Sequence, residues 1–259
     1  MEVRVVAAGR GWQWIAGGFA LFRKSPAMWA AITLILYVIF TLLVRIPVLG
    51  LILVIFAPVL LAGLMQGCRA LEAGEELKVA HLLTGFRKNA GYLVTLGGIS
   101  LVSNLVLLMM LVMMSGDAVM AMMKHAAAGS ASPAVAEAVL QAAPRIVTAT
   151  LVVFALSLPL LMSLWFAPLL VHFDDFKPLR SLVMSFWACW KNTLPFLVYG
   201  AVVFLGLVVL TPFTLAARQP DLSFWLLAPV LIPSIYASYQ DVFTPSRSAS
   251  TTGGNPFLK

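Results

Sequence analysis

Hydrophobic residues in this chain come in long blocks with short polar interruptions. A bilayer crossing takes roughly 20 apolar residues as a helix. Six blocks qualify: residues 27–46, 48–68, 92–114, 146–171, 195–217 and 223–240. The sixth is the shortest and is broken by Pro229 and Pro233. The first two blocks are joined through Arg45-Ile46-Pro47, and the last two through the stretch from Ala217 to Leu222. Blocks three and four are separated by a longer insertion, about 116–144. There Ser132-Pro133 reads as a helix N-cap and first helical residue, followed by a short alanine-rich helix over 134–143. Beyond Thr244 the pattern dissolves into Ser, Thr and Gly, which predicts a disordered tail over 244–259.

Two features recur with the blocks. Ala57-Pro58-Val59-Leu60, Ala167-Pro168-Leu169-Leu170 and Ala228-Pro229-Val230-Leu231 lie in blocks two, four and six. Proline inside a helix gives up a backbone hydrogen bond, so Pro58, Pro168 and Pro229 predict kinks at one depth. Ahead of blocks one, three and five stand basic elbows: Phe22-Arg23-Lys24-Ser25-Pro26, Phe86-Arg87-Lys88-Asn89 and Trp190-Lys191-Asn192. Each follows a stretch that reads as an amphipathic helix. Trp12, Ile15, Phe19 and Phe22 form one stripe; Leu77, His81, Leu82 and Phe86 a second; Leu179, Val183, Phe186 and Trp190 a third. Such helices suit the headgroup layer, with aromatics inward and basic residues toward phosphates. The pattern predicts an all-α polytopic membrane protein. Its single six-span domain, 1–243, is built from three parallel hairpin repeats (about 9–71, 75–173 and 176–241), each preceded by a cytoplasmic interfacial helix.

Composition strengthens the membrane assignment. Hydrophobic residues make up 61% and charged residues 10% of the 259, and mean hydropathy is +0.98. A soluble domain carries about 25% charged residues. The polar start, Met1 to Arg10, lacks a secretory signal, so the first span is expected to be retained. Of the 17 Lys and Arg, only Arg45, Lys124, Arg145 and Arg218 fall on the outer side if the N-terminus is cytoplasmic. That bias predicts both termini in the cytoplasm. Cys68 and Cys189, the two cysteines, fall near predicted cytoplasmic ends, where a disulfide is not expected.

Candidate chemistry is sparse. Methionines gather at the outer end of block three (Met109, Met110, Met113, Met114) and beyond it (Met120, Met122, Met123), with His125 nearby. Thioethers one turn apart suit Cu(I), but methionine is also ordinary membrane filler, and no metal is assigned. His81, His172, Glu72, Glu75, Glu76, Asp174 and Asp175 cluster at predicted inner ends and read as a solvated edge. Block three offers Gly97, Gly98, Ser100, Ser103 and Asn104, a stripe that more often cements helices than lines a path. Ionisable residues at depth, the usual mark of ion coupling, are nearly absent. Nucleophile-elbow, zinc-protease and phosphate-loop motifs are missing. No enzyme, cofactor or nucleic-acid partner is expected.

Gly11-Trp12-x-Trp14-Ile15, Leu21-Phe22-Arg23-Lys24-x-Pro26-x-x-Trp29, Pro58-x-x-x-Ala62-Gly63 and Gly74-Glu75 leading to Gly85-Phe86-Arg87 resemble an uncharacterised family of proteobacterial multi-pass inner-membrane proteins, the YciC-like group. The resemblance covers roughly the first 90 residues. It implies an inner-membrane location and six spans, and carries no activity or functional residue. The residue-level reading is a non-enzymatic membrane protein that organises or binds envelope lipids, or a membrane partner. Its anionic-lipid contacts are expected at Arg23, Lys24, Arg87, Lys88, Asn89, Lys191 and Asn192. The alternative is a permease or channel for a neutral or amphipathic solute.

Overall fold

The first short helix begins where Gly9 gives way to Arg10, and from there the computed structural model is helical nearly throughout. It describes residues 2–116, 133–216, 218–219 and 222–243. In chain order, α1 is Arg10–Lys24, α2 Pro26–Val44 and α3 Pro47–Glu72; a 3-10 helix, Val79–Phe86, follows; then come α4 Ala90–Ser115, α5 Pro133–Trp165, α6 Ala167–Asp174, α7 Pro178–Lys191, α8 Thr193–Ala216 and α9 Leu222–Phe243. Six stretches are long and apolar enough to cross a membrane: 26–44, 48–72, 90–115, 143–174, 193–216 and 222–243. They match the sequence blocks to within a few residues. Two compact units result, one comprising Met1–Gly97 with Met162–Lys259, the other Gly98–Leu161.

Helix starts follow proline chemistry. Proline fixes φ and has no amide hydrogen to leave unsatisfied, so it suits the first turn. It stands in the first turn of α2, α3, α6 and α7. Left-handed residues close or open other elements. Asp175 (φ 56°) ends α6 and returns its N–H to the Leu170 carbonyl. Asn89 (φ 55°) turns the chain into α4, a conformation that Asn tolerates better than most residues.

The sequence expectations need three corrections. The segment 134–143 is not a separate short helix; α5 runs unbroken from Pro133 through Pro144 to Trp165. Alanine-rich sequence propagates a helix well enough to absorb one proline. The second amphipathic stretch is a 3-10 helix, with three residues per turn. Leu82 and Gly85 therefore share its buried side, while Leu83 and Phe86 are exposed, so the predicted common face is split. Finally, the three Ala-Pro copies behave differently. Pro58 and Pro229 lie inside continuous helices, but α5 and α6 part at Phe166, just ahead of Ala167-Pro168. The cause is a side chain in the ladder. Ser185 Oγ accepts from the Phe166 N–H at 2.9 Å and donates to the Met162 carbonyl at 2.6 Å, between the two groups that would otherwise bond each other.

In the first unit each short helix seats one face on another helix: α1 on α9, the 3-10 helix on α3, and α7 on α6. Small residues make the close approach possible. A Cβ on Gly18 would overlap the Val230 carbonyl, and one on Gly85 the Val59 carbonyl. Each of those carbonyls belongs to the residue after an Ala-Pro proline. In α7 the inward positions are Ser181, Ser185, Ala188 and Cys189. Trp14, Leu21 and Leu82 are buried beside these small residues, while a second set of large apolar side chains points the other way. Trp12, Phe19, Leu83, Phe86, Leu179, Val183, Trp187 and Trp190 are all exposed. The core gathers toward the C-terminal ends of α3 and α9 and at α6, where Trp14, Leu21, Met65, Phe166, Leu169, Leu170, Tyr236 and Phe243 are buried together.

Candidate functional site: the three elbows

The elbow between each short helix and its outgoing span carries the predicted lipid-contacting residues. At the first, Lys24 Nζ donates to the Leu71 carbonyl at 2.9 Å, tying the end of α1 to the end of α3. At the second, Asn89 Nδ2 donates to the Val171 carbonyl at 2.8 Å and to Asp175 Oδ1 at 2.7 Å. Lys88 pairs with Asp175 at 3.1 Å, both exposed. Hydrogen bonds from Asn89 and Lys88 hold the Asp175 carboxyl below its ordinary range. The third elbow differs. Asn192 is fully buried. Its Nδ2 donates to the carbonyls of Arg4 and Ala188, each at 2.9 Å, and its Oδ1 accepts from the Val6 N–H at 2.9 Å.

A division of labour follows. Lys24, Asn89 and Asn192 spend their polar groups on protein, one per elbow. Arg23, Arg87 and Lys191, also one per elbow, are exposed, and among the described residues their side chains make no ion pair or hydrogen bond. Each lies beside an exposed apolar stripe: Phe19 near Arg23, Leu83 and Phe86 near Arg87, Trp187 and Trp190 near Lys191.

Behind the elbows, the C-terminal ends of α3, α6 and α9 carry a polar network that sequence reasoning did not assemble. Glu72, Asp174 and Asp241 end three returning spans, and each carboxylate is held by an aromatic donor. Tyr236 Oη donates to Glu72 at 2.6 Å and Tyr239 Oη to Asp174. Asp241 accepts from Arg10 through two bonds (2.6 and 2.7 Å) and from Trp14 Nε1 at 2.9 Å. The available signal was Tyr236, Tyr239 and Asp241 in the last two turns of an otherwise apolar block. Of the acids read as a solvated edge, Glu72, Glu75, Glu76 and Asp175 are exposed and Asp174 is half-buried; Asp241, which that reading left out, has a side chain only 6% exposed.

Among the described residues no group of three His, Cys, Asp or Glu side chains converges as a metal would need. His172 is buried, and its Nδ1 has no hydrogen-bond partner among the described residues. Cys68 and Cys189 are free and buried, and burial raises the Cys189 thiol to about 12. On α4, Met109 and Met113 are exposed, whereas Met120, Met122, Met123 and His125 lie outside the described residues, as does the predicted tail.

Six apolar helices with outward Leu, Ile, Val and Phe, and a polar network confined to one end, define a polytopic helical membrane protein. The chain is similar to a probable inner membrane protein of Burkholderia thailandensis, 29% identical over 260 residues that cover 94% of each chain. No family model and no solved structure matches.

Proposed function

We propose that this is a non-enzymatic inner-membrane protein that holds anionic lipid headgroups in a cytoplasmic ring. One observation carries the reading: each elbow presents one uncommitted cation, Arg23, Arg87 or Lys191, beside an outward apolar stripe. A basic residue near an anionic leaflet contributes about 1 kcal/mol of attraction. Aromatic side chains at headgroup depth fix the height of the helix that bears them. The inner-membrane location rests on the relative's name and the cytoplasmic orientation on the basic bias of the sequence.

The three elbows are read as equivalents in a threefold repeat. Support comes from the recurring order of one short and two long elements, and from glycine contacts made next to Pro58 and Pro229. A further sign is the distance from proline to the end contact. Leu71, bonded by Lys24, lies as far beyond Pro58 as Val242, bonded by Arg4, lies beyond Pro229. The buried hub of α3, α6 and α9 favours a lipid-organising role over a permease, which needs a path between those same helices.

The test is native mass spectrometry of the purified protein. The R23Q/R87Q/K191Q variant should lose most of its co-purified anionic phospholipid. A control, K78Q/K177Q/R180Q, removes the same charge from neighbouring positions and should keep it. Equal retention in both would reduce the ring to an insertion signal.

A further inference from the structure

We propose that residues 2–6 form a releasable strap, and that the joint they close, between the third elbow and the end of α9, is where this bundle opens. The claim is independent of the lipid reading. At the first two elbows a side chain reaches the end of a returning span directly, Lys24 to Leu71 and Asn89 to Val171. At the third, the bonds of Asn192 beyond its own turn go to residues 4 and 6. The Arg4 N–H then donates to the Val242 carbonyl at 3.0 Å. The strap is therefore an inserted layer, with Asn192 pairing its backbone on one side and α9 on the other.

This layer is lightly built. Residues 2–6 have no helical hydrogen bonds of their own, and Glu2, Arg4 and Val5 are exposed. Val3 and Val6 anchor it, packed on the core cluster that holds Ala188, Cys189 and Phe243. Segments with few buried contacts and exposed backbone open at low free energy, ahead of the surrounding bundle. When the strap leaves, Asn192 Oδ1 and the Val242 carbonyl lose their partners and water takes their place. Polar access to the buried end of α7 follows, and Cys189 lies there, one turn from Asn192, whose N–H donates to the Cys189 carbonyl.

The two native cysteines make the test internal. Cys189 reports the strapped joint; Cys68, buried in α3, reports the rest of the hub. The full chain in proteoliposomes is labelled with a membrane-permeant maleimide, each cysteine being followed in a background where the other is alanine. In N192A, and separately in V3D/V6D, which leaves Asn192 intact, Cys189 should label faster by on the order of tenfold. Cys68 should keep its wild-type rate. N89A, which cuts the second joint, should leave Cys189 protected. The proposal is overturned if Cys189 stays protected in both strap variants. It is equally overturned if Cys68 accelerates in step with Cys189, since the bundle would then be unfolding as a whole.

Discussion

Replacing Arg10 by alanine gives the most direct test of how α1 is held to the bundle. Asp241 accepts three bonds, two from the Arg10 guanidinium and one from Trp14 Nε1, and its side chain is 6% exposed. Removing one partner of a buried ion pair costs about 3–5 kcal/mol, chiefly because the other charge stays buried and uncompensated. The Arg10 side chain is 29% exposed, so water reaches the cavity it would leave, and the Trp14 bond remains. The expected cost is accordingly lower, about 2–3 kcal/mol. At about 2–4 °C per kcal/mol for a chain of this size, Tm should fall by on the order of 5–10 °C. Intrinsic tryptophan fluorescence in a mild detergent is a suitable readout, because Trp14 sits in the affected contact. The double variant R10M/D241L removes both charges and keeps most of the volume. It should recover only part of the loss, since no uncompensated charge stays buried but the Trp14 N–H loses its acceptor. If R10A melts within 1 °C of wild type on the same scale, the contact is not holding α1 in place.

Other outcomes follow from single contacts. G85A should destabilise by about 1–3 kcal/mol, because its Cβ meets the Val59 carbonyl; G91A, with open space around the new atom, should be neutral or slightly stabilising in the same melt. Asp175 has a depressed folded pKa, so its contribution is full above the ordinary carboxylate value of about 3.9 and disappears as pH falls through the lower folded value. D175N should therefore lose stability at neutral pH yet flatten the acid limb of a stability-versus-pH curve, and an unchanged acid limb would refute the assignment. Reporter fusions should place both termini in the cytoplasm and residue 132 in the periplasm; a cytoplasmic signal at 132 would break the six-span topology.

The spans were legible because lipid demands long apolar runs with internally satisfied backbones, and nothing else in the chain competes with that signal. Short helices were half legible. Their stripes of Trp12 and Phe19, or Leu179, Val183 and Trp190, are real, yet those stripes face outward, and the protein side mixes Trp14, Leu21 and Leu82 with Gly18, Gly85, Ser185 and Ala188. Small residues carry no hydrophobic signal, so much of the buried face reads as a gap in the pattern. The 3-10 geometry of 79–86 was not readable, because it depends on the fit of Gly85 and Leu82 against α3. Nor could spacing reveal the carboxylate partners. Tyr236 and Glu72 are separated by 164 residues and Arg10 and Asp241 by 231, and a single sequence holds no record of such distant pairs.

That last separation bears on how the chain is made. A ribosome adds about 5–20 residues per second, so Arg10 and Trp14 wait on the order of 10–50 seconds for Asp241, 231 residues downstream, to emerge. During that interval α1 has its glycine face and a buried-type arginine with nothing to receive them. A nascent chain halted before α9 would display both at the membrane edge, a recognisable badge of incompleteness. Docking of α1 onto α9 thus waits until α9 has been made, so the first helix is seated only after the spans that follow it.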